Sequence, residues 1–345
     1  MGTQLGISKK AIVVLFLGRL SFHAKSHPLA LYKAISKISS ENDNEEIILL
    51  ECGTFPNQVT EQMYNKLIYS FKNLTVKRVG GLNQATEEEK IESLNAANIF
   101  VSLSDNIQET FGLTVIEAMA AELPCIVSDW NGYKDLVKDN ETGYLIPTKY
   151  AAESDHEINY VDIDYKIEKT NFDYMIGLKS MKTVINENAL TSRLSFLIDN
   201  AEIREKMGYK GRQRWNKLFS WKVVSDQYRD LWINLKERRS GYSEKHNTDS
   251  FHPSIDYIFK DYATEIYNEE ELFVETGSTK AEVLLFPLHS PLVNIITNNK
   301  TQEIIEFINK NKSISTKDLN IIGLEKSKIK EVMALIEKLG IAKSK

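Results

Sequence analysis

The feature that most constrains this chain is an alternation of short apolar runs with amphipathic stretches between residues 11 and 148. Ala11–Leu17 (AIVVLFL), Ile47–Cys52 (IILLEC), Val76–Val79, Ile99–Leu103, Cys125–Ser128 and Gly143–Ile146 read as strands. Pro28–Ile38, Gln58–Phe71, Glu87–Ala97 and Leu113–Ala121 read as the helices between them. Strands that are apolar throughout must be covered on both faces, and a parallel sheet between two helix layers provides that cover. The pattern therefore predicts an α/β fold: a single doubly wound Rossmann-like domain followed by a small α-rich module. In such a sheet ligands bind outside the carboxyl ends of the strands, so the loops there are the place to look for chemistry.

Beyond this series, residues 149–176 are polar and tyrosine-containing without a clear period, and read as an insertion. Asn188–Asp199, Glu202–Trp215 and Trp221–Arg238 read as helices, the last with Val223, Val224, Tyr228, Leu231, Trp232 and Leu235 on one side. The Ser-, Gly-, His- and Asn-rich stretch 240–254 reads as a linker. Residues 1–239 then form the first domain and 255–345 a separate, mainly helical module, in keeping with about two domains for 345 residues. In that module Thr301–Asn311 and Ser327–Leu339 read as helices, with a Ser/Thr-capped start at Ser315-Thr316 between them. The arrangement is compatible with a winged-helix-like module. Its lysines Lys326, Lys328, Lys330 and Lys338 interleave with Glu325, Glu331 and Glu337, and the whole chain carries a net charge of -5. Nucleic-acid binding needs a basic surface, so a solvated helix face or a protein-interaction role fits better.

Cys52 and Cys125 are the two cysteines; they lie far apart, form no disulfide framework and have no metal-ligand spacing. The run Ala11–Leu17 lacks a small-residue cleavage site and continues into Gly18-Arg19, which favours a buried strand over a signal peptide. No run approaches the roughly 18–20 apolar residues of a membrane span. These readings together predict a cytoplasmic protein without a transmembrane segment.

The stretch Ser102–Pro147 carries the chemistry. Glu109 ends a loop, Phe111-Gly112-Leu113 open a helix, and Glu117 lies within it among Val115, Ile116, Ala118, Met119 and Ala120. The free N–H groups at a helix N-terminus favour an anion, and Gly112 lets a ligand approach the backbone. Glu109 taken alone reads rather as a solvated loop acid, and Glu117 equally as a partner in a buried salt bridge. Two carboxylates straddling a helix start, with glycine between, are suited to hold hydroxyls at either end of a bound diphosphate.

Glu109 and Glu117 fit the E-x7-E motif of the GT-B glycosyltransferases of family 4, the group 1 glycosyltransferases. ETFGLTVIEAMAAELPCIVSD resembles that family's donor-site helix and following strand, and NGYKDLVKDNETGYLIP its next loop and strand. LFLGRLSFHAK resembles the first strand of the donor domain, and MGYKGRQRWNKLFSWKVVSDQY the closing helices, so the resemblance covers roughly residues 5–237. It implies that Gly18, Arg19 and Lys25 meet the donor diphosphate, with the backbone of Phe111, Gly112 and Leu113 holding phosphate or sugar oxygens. Glu117 then takes the nucleotide ribose and Glu109 the donor sugar, and Glu109, Arg19 and Lys25 are the catalytic candidates. Val79-Gly80-Gly81 read either as flanking the base or as an ordinary strand-to-loop turn, and His23 either as touching the site or as structural. Ser26, Glu122 and Asp135 depart from the family's usual Gly, Gly and Glu, which leaves the donor's identity open. A left-handed Glu122 would carry about 1–2 kcal/mol of strain.

The resemblance implies retaining hexosyl transfer from a nucleotide-diphosphate sugar to an unknown acceptor, with no metal and no separate cofactor. The carboxyl-terminal half of GT-B is represented; its amino-terminal acceptor domain has no counterpart in this stretch. Three readings follow: a fragment, a chain that works with a separate chain supplying the acceptor half, or a non-catalytic nucleotide-sugar-binding partner. An interaction or regulatory protein acting through the C-terminal module is the alternative from another class.

Overall fold

The computed structural model describes residues 6–42, 45–151, 164–165, 167–240, 258–259, 261–267, 272–275, 299–311, 313–315, 318 and 326–344. The first domain runs β1 (Ile12–Leu17), α1 (Leu29–Glu41), β2 (Ile47–Thr54), α2 (Gln58–Ile68), β3 (Thr75–Gly81) and α3 (Glu87–Ala96). It continues through β4 (Ile99–Ser102), α4 (Leu113–Ala120), β5 (Cys125–Ser128), α5 (Tyr133–Leu136) and β6 (Gly143–Ile146). The six strands form one sheet in the order β3-β2-β1-β4-β5-β6, and every pairing is parallel. This is the expected α/β doubly wound arrangement.

The two-sided burial is visible within one strand. Ile12, Val14 and Phe16 of β1 belong to one apolar core, and Val13, Leu15 and Leu17 to the other. Side chains alternate across a strand, so a run without polar residues needs a core on each face. Strand order reverses direction between β1 and β4, which opens a crevice at their carboxyl ends. The β1 end delivers Arg19 and Lys25, and the β4 end delivers the loop to Glu109.

Past the sheet come β7 (Thr148–Tyr150), α6 (Phe172–Met181), β8 (Thr183–Ile185), α7 (Glu187–Asp199), α8 (Ala201–Leu218) and α9 (Trp221–Ser240). Helix α7 packs on α1, and α8 on α4. Helix α6 starts inside the stretch read as an insertion; Asn171 caps it by accepting from the Tyr174 amide at 2.9 Å. Residues 152–163, within that stretch, and 241–254, within the expected linker, lie outside the described residues.

The carboxyl-terminal segments contribute β9 (Glu265–Ile266), β10 (Leu272–Glu275), α10 (Asn299–Asn311), β11 (Ser313–Ser315), α11 (Lys326–Lys338) and β12 (Ala342–Ser344). Both expected helices are present, at Asn299–Asn311 and Lys326–Lys338. Ser315 ends β11, which pairs antiparallel with Leu272–Val274; Thr316, the other residue of the expected capped start, lies outside the described residues. Strand β12 pairs with β10 on its other side. A second apolar core joins Ile329, Val332, Met333, Ile336 and Leu339 to Ala151, Met181 and Val184. The last helix therefore buries its stripe against β8 and α6 of the preceding region.

Candidate active site

Strand β1 ends at Leu17, and Gly18 follows with φ +148°. A Cβ at Gly18 would stand 3.2 Å from Lys25 Cε, so glycine there leaves a path for the lysine stem. Lys25 is buried and directs Nζ to Glu109 Oε2 in an ion pair. The same ammonium donates to Tyr133 Oη at 3.2 Å. Tyr133 Oη lies 2.8 Å from Ser102 Oγ and donates to Glu109 Oε2 at 3.4 Å. Lysine, tyrosine, serine and glutamate thus form one network at the carboxyl ends of β1 and β4. Burial pulls the Lys25 ammonium down, but Tyr133 and Glu109 outweigh it and the net direction is up. Burial pushes the Tyr133 phenol up as well.

Arg19 is exposed and donates from Nη2 to Ala24 O at 3.0 Å and to Gln108 Oε1 at 2.9 Å. The loop from Ser104 to Glu109 is tied down at successive positions. Ser128 Oγ donates to Ser104 O at 2.6 Å, and Trp130 Nε1 to Asn106 O at 2.8 Å. Asn106 Nδ2 donates to Lys25 O at 2.8 Å, and its Oδ1 accepts from the Gln108 amide at 2.9 Å. The β1 loop and the β4 loop are therefore cross-linked by side chains, with the cations on one and the carboxylate on the other.

Gly112 opens α4 with φ +105°, and a Cβ there would meet Tyr133 Cε1 at 2.4 Å. Glycine is required on both counts: the backbone is left-handed, and the tyrosine of the network occupies the side-chain space. In the first turn of α4 the Val115 amide bonds back to Gly112 O at 3.0 Å, while Leu113 and Thr114 precede any intrahelical carbonyl their amides could reach; Phe111 and Leu113 are exposed. Glu117 is separate from the Lys25 network. It accepts from Lys90 Nζ of α3 at 2.7 Å, near the surface. Val79, Gly80 and Gly81 end β3, on the side from which α3 departs; a Cβ on Gly80 would come 2.4 Å from Gly53 O, so strand packing accounts for that glycine. His23 lines a cleft of about 550 Å³ with Arg19, Thr54, Asn57 and Asp173. Glu122 adopts φ +60°, the left-handed conformation that its position after α4 suggested. Ser26 is buried, and Asp135 O accepts from Arg214 Nη2 at 2.6 Å.

The structure thus brings together Gly18, Arg19, Lys25, Glu109 and the start of α4, and sets Glu117 one helix turn away on a different partner. Sequence reading missed Tyr133, Gln108 and Asn106. Tyr133 stands within a motif block the reading used, but nothing in its spacing says that its hydroxyl returns to Glu109. Among the described residues no group of three or more His, Cys, Asp or Glu is placed to hold a metal. Among the same residues no helix is long and apolar enough to cross a membrane.

The family described as glycosyl transferases group 1 matches residues 3–171. The chain is 29% identical over 150 residues to D-inositol 3-phosphate glycosyltransferase of Corynebacterium efficiens, covering 41% of this chain and 32% of that protein. It is 22% identical over 229 residues to the capsular polysaccharide biosynthesis glycosyltransferase CapM of Staphylococcus aureus, covering 66% of this chain and 48% of that one. Among solved structures, sucrose-phosphate synthase of Thermosynechococcus elongatus superposes with TM-score 0.47 and 21% identity, over 69% of this chain and 48% of that one. The chain spans no more than half the length of either curated relative. The matched stretch contains every candidate residue named above, and residues 3–171 are similar to the group 1 glycosyl transferases.

Proposed function

We propose that this chain is the donor-binding part of a retaining family 4 glycosyltransferase of the GT-B class, moving a hexosyl group from a nucleotide-diphosphate sugar to an acceptor. The observation that carries the reading is the pairing of Lys25 with Glu109 beside the open N-terminus of α4, at the point where strand order reverses. In this reading Arg19, Lys25 and the first amides of α4 stabilise the charge that develops on the departing diphosphate. Glu109 orients the sugar, and Glu117 takes the ribose once Lys90 yields it. Charge on the leaving group is held by side chains and amides, and the reading assigns no role to a metal or separate cofactor. Attack from the face that the leaving group vacates gives retention.

The acceptor side comes from a second body in this reading, whether more of the same protein or a separate chain. The side of α9 that carries Trp221, Tyr228, Leu231 and Trp232 is exposed and gives such a body an apolar surface. The cytoplasm suits both the donor and the two free, buried thiols Cys52 and Cys125.

Calorimetric titration of UDP-glucose, GDP-mannose and ADP-glucose tests the reading. One of these should bind the wild type and bind Glu117→Ala at least tenfold more weakly. If none binds the wild type, the donor-domain reading fails. Binding without transfer or hydrolysis, even with an added acceptor-domain chain, would favour a non-catalytic nucleotide-sugar-binding subunit.

A further inference from the structure

The loop that carries Glu109 has one support from far along the chain. Asp105 is buried at its base, with a side chain 2% exposed. Its Oδ2 accepts from the His27 amide at 3.2 Å and from Lys338 Nζ at 2.7 Å. Lys338 lies 233 residues away, at the end of α11, and its side chain is 6% exposed. The same ammonium donates to Ser180 O at 2.5 Å. Among the described residues Asp105 Oδ1 has no hydrogen-bond partner, so Lys338 is the counter-ion on which this carboxylate depends. A buried carboxylate stripped of its cation is costly and moves its backbone or takes up a proton.

From Asp105 the consequences pass directly to the candidate site. The next residue, Asn106, holds Lys25 O and the Gln108 amide. Gln108 holds Arg19, and Glu109 holds Lys25. His27, whose amide shares Asp105, is two residues from Lys25 on the opposing loop. One carboxylate therefore sits beneath both loops that present the candidate catalytic groups, and the last helix supplies the charge that fixes it.

We propose that Lys338 is a positioning residue for the donor site, and that the carboxyl-terminal helix is a working part of that site rather than an appended module. The proposal rests on the donor-binding reading for its ligand half alone. Glu331, seven residues earlier on the same helix, makes an ion pair with Lys182 at 2.8 Å and provides the control. Changing it loosens the helix without removing the Asp105 counter-ion.

The test is amide hydrogen exchange across residues 104–109, together with donor titration, in wild type, Lys338→Met, Asp105→Asn and Glu331→Gln. Exchange in the loop should quicken at least tenfold in Lys338→Met and Asp105→Asn, and stay near wild type in Glu331→Gln. Affinity for whichever of UDP-glucose, GDP-mannose or ADP-glucose binds the wild type should fall at least tenfold in the same two variants. If Lys338→Met does not fold, Asp105→Asn, which keeps the side-chain shape, carries the same expectation. Loop exchange unchanged in the folded variants, or quickened equally in Glu331→Gln, overturns the proposal. A wild type that binds none of the three sugars but shows the expected exchange pattern removes the donor reading and leaves the Lys338 support standing.

Discussion

Two carboxylates eight residues apart are held in different ways. Glu109 sits in a network with Lys25, Tyr133 and Ser102, and its lysine partner is 8% exposed. Glu117 rests on Lys90, whose side chain is 24% exposed, while Glu117 itself is 34% exposed. The first pair is shielded, so its Coulomb attraction is strong and removing either member strands a buried charge. The second is screened by water and contributes little to stability. The difference teaches that one half of the candidate site is held by a shielded pair, while the other rests on a water-screened pair that, in the proposed reading, exchanges its lysine for a donor hydroxyl.

The comparison breaks most decisively at Lys25. Lys25→Met should cost roughly 3 kcal/mol, the low end for breaking a buried pair because Glu109 is partly exposed, and should abolish donor binding. Urea unfolding and calorimetry measure the two effects; a loss below about 1 kcal/mol would place this pair in the surface class with Glu117. Gly112→Ala tests the wall between the halves. A Cβ there collides with Tyr133 in a left-handed backbone, so a loss of about 1–3 kcal/mol is expected, with weakened donor binding. Unchanged stability would mean that the Tyr133 network tolerates displacement. Lys90→Met sharpens the other side. Its stability should change by less than about 1 kcal/mol, and donor affinity should hold or rise as Glu117 is released. A drop as large as that of Lys25→Met would make the two carboxylates equivalent.

Much of this architecture is legible in the sequence. The boundaries of β5 and β6 fall at Cys125–Ser128 and Gly143–Ile146, as the short runs predict, because strands buried on both faces stand out as mainly apolar runs between polar loops. Glu109, Gly112 and Glu117 were legible from their spacing around a helix start. Tyr133, Asn106 and Gln108 were not, since each acts through a contact made by chain return rather than by neighbours in sequence. The carboxyl-terminal lysines, read as a solvated face, include one that is buried. Lys338 lies on the side of α11 that faces α6 and the Glu109 loop, a side that periodicity alone leaves unassigned among alternating lysines and glutamates.

The sequence by itself determined the parallel sheet, the loops at its carboxyl edge where a ligand is proposed to bind, and the residue types gathered there, because apolar period and glycine placement are local properties of the chain. Only the tertiary structure decided which charges are paired. It joined Lys25 to Glu109, Lys90 to Glu117 and Lys338 to Asp105, because the strength of an ion pair depends on burial and distance, which are properties of the folded whole.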